Sequence, residues 1–129
     1  MIAVDTNVLA RFILADDRTQ AETAAVILAA AAWVSATVWV ELGWVLGTRL
    51  GLDRPLVADA LDTLLNLRTL HTADPEGMLW AVERYRSGAD WADMVHLVST
   101  RNDAERFATF DRRLARQAGT PTPLPIETF

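Results

Sequence analysis

The sequence predicts an α/β fold: a three-layer sandwich with a short central parallel sheet of about five strands flanked by helices. Short apolar segments alternate with longer helical patterns along the chain, which is typical of parallel strands joined by helices. A length of 129 residues with 51% hydrophobic content suits one core. We therefore expect a single domain spanning residues 1–129.

The predicted strands are short and mostly apolar. The first, Ile2-Ala3-Val4, is expected to be buried. Pro125 restricts the last strand to a sheet edge or to its own end. The five predicted strands cover residues 2–4, 33–35, 68–71, 107–109 and 124–126.

The predicted helices are bounded by capping and stop signals. Ser35 or Thr37 is expected to cap the third helix, which Gly51 stops, and Asp90 or Asp93 begins the sixth. Pro55 suits the first turn of the fourth. The predicted helices cover residues 8–14, 21–31, 37–50, 53–65, 74–86, 93–100 and 111–118.

Composition excludes several classes of protein. There is no cysteine for disulfides or thiolate metal sites, and no segment has the length of a membrane span or the pattern of a signal peptide. We therefore expect a cytoplasmic protein without membrane contact. The net charge of −5 argues mildly against a nucleic-acid substrate. However, all twelve basic residues are arginines, and five in the late segment 101–116 form either a basic rim or an ordinary solvated face.

Acidic residues follow the predicted strands at positions where ligands bind in such folds. Asp5 comes directly after the first strand and Asp111 two residues after Thr109, so both are candidates for one crevice beyond the carboxyl ends of the strands. Glu41 lies in a nearly continuous apolar helix, where a buried carboxylate needs a partner or a metal. Alternatively, Glu41 occupies a narrow exposed stripe.

Each acid also has an ordinary explanation. Asp5 and Asp111 are both suited to capping helices, and Asp90 with Asp93 has the spacing of an N-cap and a first-turn acid. Taken together, carboxylates converging at the ends of strands suit Mg²⁺ or Mn²⁺ and phosphodiester hydrolysis.

Four segments carry a specific resemblance: residues 4–9, 35–42, 89–97 and 107–111. In this order and spacing the chain resembles a PIN domain, and more narrowly the VapC-type toxins of bacterial toxin–antitoxin pairs. The resemblance implies a metal-dependent endoribonuclease acting on RNA. Met94-Val95, where many relatives have alanine or isoleucine, departs from the pattern and concerns packing only. The residues that match functional positions are Asp5, Glu41 and Asp93 as metal ligands, Asp111 as a fourth acid, and Asp90, Thr6 and Asn7 as supporting residues.

The resemblance also implies partners. It predicts a homodimer and a cognate VapB-type antitoxin lying across the helices at 8–14, 21–31 and 38–46, where the apolar content exceeds what one small core can bury. The alternative is a catalytically inactive module that only binds a protein partner. Phosphatases that form an aspartyl-phosphate are disfavoured, because they need an Asp at the position of Asn7 and a lysine, which this chain lacks.

Other polar and aromatic residues have less defined roles. We expect His96 to be a structural helix residue and His71 to be solvated near a strand end. Trp33, Trp39 and Trp44 are interpreted as core or interface residues; Trp91, between two acids, is the tryptophan to test for substrate contact. The remaining candidates for phosphate contact are Arg112 and Arg113, for which an exposed helix face is an equal alternative.

Overall fold

The computed structural model describes residues 1–129 and confirms the α/β class. Helices and strands alternate as expected for three layers. The strands are β1 (Ile2–Ala3), β2 (Ala32–Trp33), β3 (Leu70–His71), β4 (Phe107–Thr109) and β5 (Ile126–Thr128). The helices are α1 (Thr6–Leu14), α2 (Arg18–Leu28), α3 (Ala36–Trp44), α4 (Arg54–Leu65), α5 (Pro75–Arg86), α6 (Trp91–Thr100) and α7 (Leu114–Ala118).

The five strands do not form one sheet, which corrects the prediction. β1, β2 and β3 form a parallel sheet in that order, and β4 and β5 form a separate parallel pair. Apolar segments predict where strands lie, whereas pairing depends on contacts between distant parts of the chain. β5 begins directly after Pro125, as its ring requires.

The first strand is less buried than predicted. Ile2 is 53% exposed, and only Val4, after the strand, is buried. β1 is an edge strand with one neighbour, so its apolar sequence did not signal a central position.

One core of 27 buried residues holds the layers together. Trp39 of α3 is fully buried in it, and its indole N–H donates to the hydroxyl of Thr72 at 3.0 Å. That hydroxyl donates to the carbonyl of Val34 at 2.9 Å. Because Val34 follows β2 and Thr72 follows β3, this chain of bonds ties α3 to the carboxyl ends of two strands.

Side-chain caps fix most helix starts. Ser35, not Thr37, caps α3, and Asp90, not Asp93, caps α6. The second helix begins earlier than predicted because Asp17 is its cap. None of the helices combines the length and the apolar character needed to cross a membrane.

The third helix changes its form at its end. It continues as a π-helical segment, Val45–Arg49, in which the backbone N–H of Leu50 donates to the carbonyl of Val45 at 2.9 Å. Gly51, with φ of +69°, follows, in the left-handed region that glycine adopts without strain. The predicted stop is therefore confirmed, although the last turn is wider than an α-helix.

Candidate acidic site

Asp5 lies at the carboxyl end of β1 and caps α1. Its Oδ1 accepts the backbone N–H of Val8 at 3.2 Å, while Oδ2 has no hydrogen bond within the chain. Neither Thr6 nor Asn7 makes a side-chain hydrogen bond to Asp5, and their supporting role stays a prediction. Both lie in the first turn of α1; Thr6 is buried, and Asn7 lines a depression between α1 and α2.

Glu41 is exposed, on the side of α3 opposite its buried residues. The buried residues are Trp39, Leu42 and Gly43. Because an α-helix has about 3.6 residues per turn, Glu41 falls on the opposite, exposed face. The alternative interpretation of Glu41, a residue on a narrow exposed stripe, is therefore confirmed. Its carboxylate has no ion pair or hydrogen bond within the chain. It is therefore free to bind an external group.

Asp90 and Asp93 share the start of α6. Asp90 Oδ1 accepts the backbone N–H of Asp93 at 2.9 Å, which is N-capping geometry. Asp93 is half-buried, and this burial raises its pKa above the ordinary value; the negative charges of Asp90 and Asp111 raise it further, while His96 and Arg113 oppose them. Asp93 thus experiences more negative than positive charge.

Asp111 caps a turn rather than the last helix, which corrects one of its predicted alternatives. Its Oδ1 accepts the backbone N–H of Arg113 at 2.8 Å and lies 3.4 Å from the Nε of the same residue. These bonds, the backbone one first, lower the pKa of Asp111. α7 begins only at Leu114 because the hydrogen-bonded turn of 111–113 precedes it.

The structure brings together part of the predicted set. The charges of Asp90 and Asp111 both act on Asp93, and Glu41 and Asp90 line one cavity. No group of three or more acidic, histidine or cysteine side chains has the closeness of a formed metal centre. Asp5 is not among the residues whose charges act on Asp93; α1, which Asp5 caps, and α6 both pack against α3.

Trp91 is a core residue that also borders a cavity at the surface. It is 6% exposed, and its indole N–H donates to the carbonyl of Trp39 at 2.7 Å. Trp39 is buried as predicted, whereas Trp44 is 55% exposed and lies outside the core. His96 is exposed on α6 and lines a small depression together with Thr37 of α3.

A cavity of about 670 Å³ opens beside the acids. Its walls come from α3, the π-helical segment and the starts of α4 and α6 together with Tyr85 of α5. Glu41 and Asp90 lie in its lining, as do Trp44 and Arg54. The candidate acidic site is therefore continuous with a pocket of ligand size.

Arg54 fixes the wall of this cavity, and sequence reasoning missed it. Its Nη1 donates to the carbonyls of Tyr85 at 2.7 Å and Ala89 at 2.8 Å, and its guanidinium lies 4.4 Å from the centre of the Tyr85 ring. The bonds hold the turn directly before Asp90. No local sequence pattern predicts this role of Arg54, because its hydrogen-bond partners are 31 and 35 residues away along the chain.

Comparison with known proteins identifies the class. Residues 2–120 match the family model described as PIN domain. The chain therefore belongs to the PIN domain family, whose members are generally nucleases and usually bind divalent metal ions. No curated protein and no solved structure matches the chain significantly.

Proposed function

We propose that this protein is a metal-dependent endoribonuclease and the toxin of a VapBC-type toxin–antitoxin pair. The observation that carries the proposal is the acidic edge: Asp90, which caps α6, Asp93 in its first turn, Asp111, whose charge acts on Asp93, and Glu41 in the lining of the adjoining cavity. In a PIN domain, such a concentration of carboxylates supports nuclease chemistry on phosphodiesters.

The donor chemistry fits Mg²⁺ or Mn²⁺. All candidate ligands are carboxylates, the hard oxygen donors that these ions prefer. Burial first, and then the negative charges of Asp90 and Asp111, raise the pKa of Asp93, and a cation would offset those charges. Asp5, Glu41 and Asp93 would hold the ion, with Asp111 as a fourth ligand and Asp90 as support. When bound, the ion supplies Lewis-acid polarisation and a more acidic water.

Two residues of the chain position and charge the acidic edge. The Asp90 carboxylate fixes the first turn of α6 and so the position of Asp93. Arg113 supplies a positive charge next to Asp111, where an RNA phosphate would meet it. Until a cation binds, the carboxylates repel a phosphate, so we expect activity to depend strictly on the ion.

The test uses purified protein free of any partner. It should cleave RNA with Mg²⁺ or Mn²⁺ and lose activity in EDTA, and Asp93→Asn should lower cleavage by at least a hundredfold. Asp103→Asn is the matched control, because Asp103 is exposed and makes no side-chain hydrogen bond or ion pair. Cleavage that survives both EDTA and Asp5→Asn would refute the mechanism.

The toxin role, a cytoplasmic site of action, a single-domain organisation and homodimer formation belong to the same proposal. Val26 on α2 is 74% exposed, and a shallow groove of about 240 Å³ separates α1 from α2. Exposed apolar surface of this kind supports an antitoxin lying across these helices.

Growth distinguishes the enzyme from the alternative, an inactive module that only binds a partner. Expression in a bacterial host should arrest growth, and Asp93→Asn should relieve the arrest. If Asp93→Asn arrests growth as strongly as the wild-type protein, the binding-only alternative is correct.

A further inference from the structure

The cavity beside the acids has features that phosphodiester hydrolysis alone does not require. We propose that it is a nucleobase subsite, which binds an unpaired base of single-stranded RNA next to the phosphate at the acidic edge. This inference rests on the proposed ribonuclease function and assigns a base-binding role to residues outside the acidic edge.

Aromatic side chains form one part of the subsite. Trp44 lies in the lining and is 55% exposed, three residues after Glu41 on the same helix. Tyr85 lies in the lining too, and its ring meets that of buried Trp91 edge to face, with centres 6.0 Å apart. Exposed aromatic rings beside a rigid aromatic wall are the surface on which unpaired bases stack.

Polar groups in the lining offer hydrogen bonds to the edge of a base. Arg54 is anchored through Nη1 alone; its Nε and Nη2 have no partner within the chain and remain available as donors. Thr48 also lines the cavity, and its hydroxyl makes no hydrogen bond within the chain. A guanidinium held in place and a free hydroxyl match the acceptor and donor groups of base edges.

Charge selects the base over an anionic group. Glu41 and Asp90 lie in the same lining, and Arg54 is its one cation. A phosphate or an acidic peptide would be repelled there, whereas a neutral, planar base is not. A Cβ on Gly47 would make ordinary van der Waals contacts with the Tyr85 hydroxyl at 3.7 Å and Val57 Cγ2 at 3.8 Å, so this part of the cavity wall accepts a larger residue without a clash at Cβ.

Binding is tested on ¹⁵N-labelled protein by the indole N–H signals of its tryptophans. The Trp44 signal, assigned with Trp44→Phe, should shift on adding adenosine, guanosine, cytidine or uridine, and more strongly with an unstructured RNA hexamer on the Asp93→Asn protein. The Trp33 signal serves as control, since Trp33 lies on β2 outside the cavity. Gly47→Leu, which fills the cavity, should weaken hexamer binding at least tenfold.

Kinetics provides the second readout. Trp44→Ala should raise KM for single-stranded RNA about tenfold with a small change in kcat, Trp44→Phe should restore most of the loss, and Trp33→Ala should leave both constants unchanged. An unshifted Trp44 signal with every nucleoside and the hexamer, or a shift produced only by a protein partner, would overturn the subsite. Nucleoside binding without RNA cleavage by the wild-type protein would instead refute the ribonuclease and leave the subsite standing.

Discussion

Gly43 on α3 faces Trp91 of α6, so it lies where the two acid-bearing helices pack together. A Cβ at this position would overlap the indole ring of Trp91 and lie 2.6 Å from its Nε1. Both residues are buried, and the same Nε1 donates to the carbonyl of Trp39. Gly43→Ala must therefore displace the Trp91 ring or separate α3 from α6.

The size of the effect follows from three contributions. Overpacking a core costs about 1–3 kcal/mol, and leaving the buried indole N–H without its acceptor costs about 1–3 kcal/mol more. Replacing glycine by alanine in a helix returns about 1 kcal/mol. We therefore expect Gly43→Ala to lower the free energy of unfolding by about 3 kcal/mol, which corresponds to a fall in Tm of roughly 10 °C in a chain of this size.

Urea and thermal unfolding, followed by circular dichroism, measure this loss. Gly47→Ala is the matched control, because its Cβ makes only ordinary contacts and should leave stability unchanged or raise it by up to about 1 kcal/mol. Equal stabilities for Gly43→Ala and the wild-type protein would show that α3 and α6 do not pack as closely as described.

Three further predictions concern polar side chains. Thr72→Val should destabilise the fold by about 1–3 kcal/mol in urea unfolding, because the buried Trp39 N–H loses its acceptor; Thr72→Ser should retain stability, and equal losses would contradict this explanation. Asp74→Ala should cost about 2 kcal/mol by the same measurement, since Asp74 caps α5 and pairs with Arg101 at 2.7 Å; a loss no larger than that of Asp103→Asn would argue against it. Because the pKa of Asp93 is higher in the folded protein than in the unfolded chain, the free energy of unfolding is larger while the carboxyl is protonated. This stabilisation is lost as pH rises through the folded-state pKa. The Tm advantage of Asp93→Asn over the wild-type protein in EDTA should therefore grow from acidic to neutral pH, and a constant difference would contradict it.

Local signals predicted the helices well. Ser35, Asp53, Asp74 and Asp90 each cap a helix through a bond to a backbone N–H three residues on, which needs no information from the rest of the chain. Glu41 shows the limit of such reasoning. Its apolar neighbours indicated a buried helix, but periodicity placed them on the opposite face.

Long-range contacts could not be predicted in the same way. The separation of β4 and β5 from the main sheet and the anchoring of Arg54 both depend on partners far along the chain. The acidic residues were found because family motifs mark them, whereas Trp44 and Tyr85 carry no motif. The cavity that they line therefore became visible only in three dimensions.

The π-helical segment also makes the cavity adjustable. Each residue advances an α-helix by about 100°, and a π-turn contains roughly one residue more than an α-turn. Deleting one residue within Val45–Arg49 would let the helix continue with regular α geometry, and it would change which residues of the segment take the places of Gly47 and Thr48 in the cavity wall. Glu41 and the cap at Ser35 precede this point and would keep their places. A single insertion or deletion could thus change which side chains a bound molecule meets while leaving the carboxylates undisturbed.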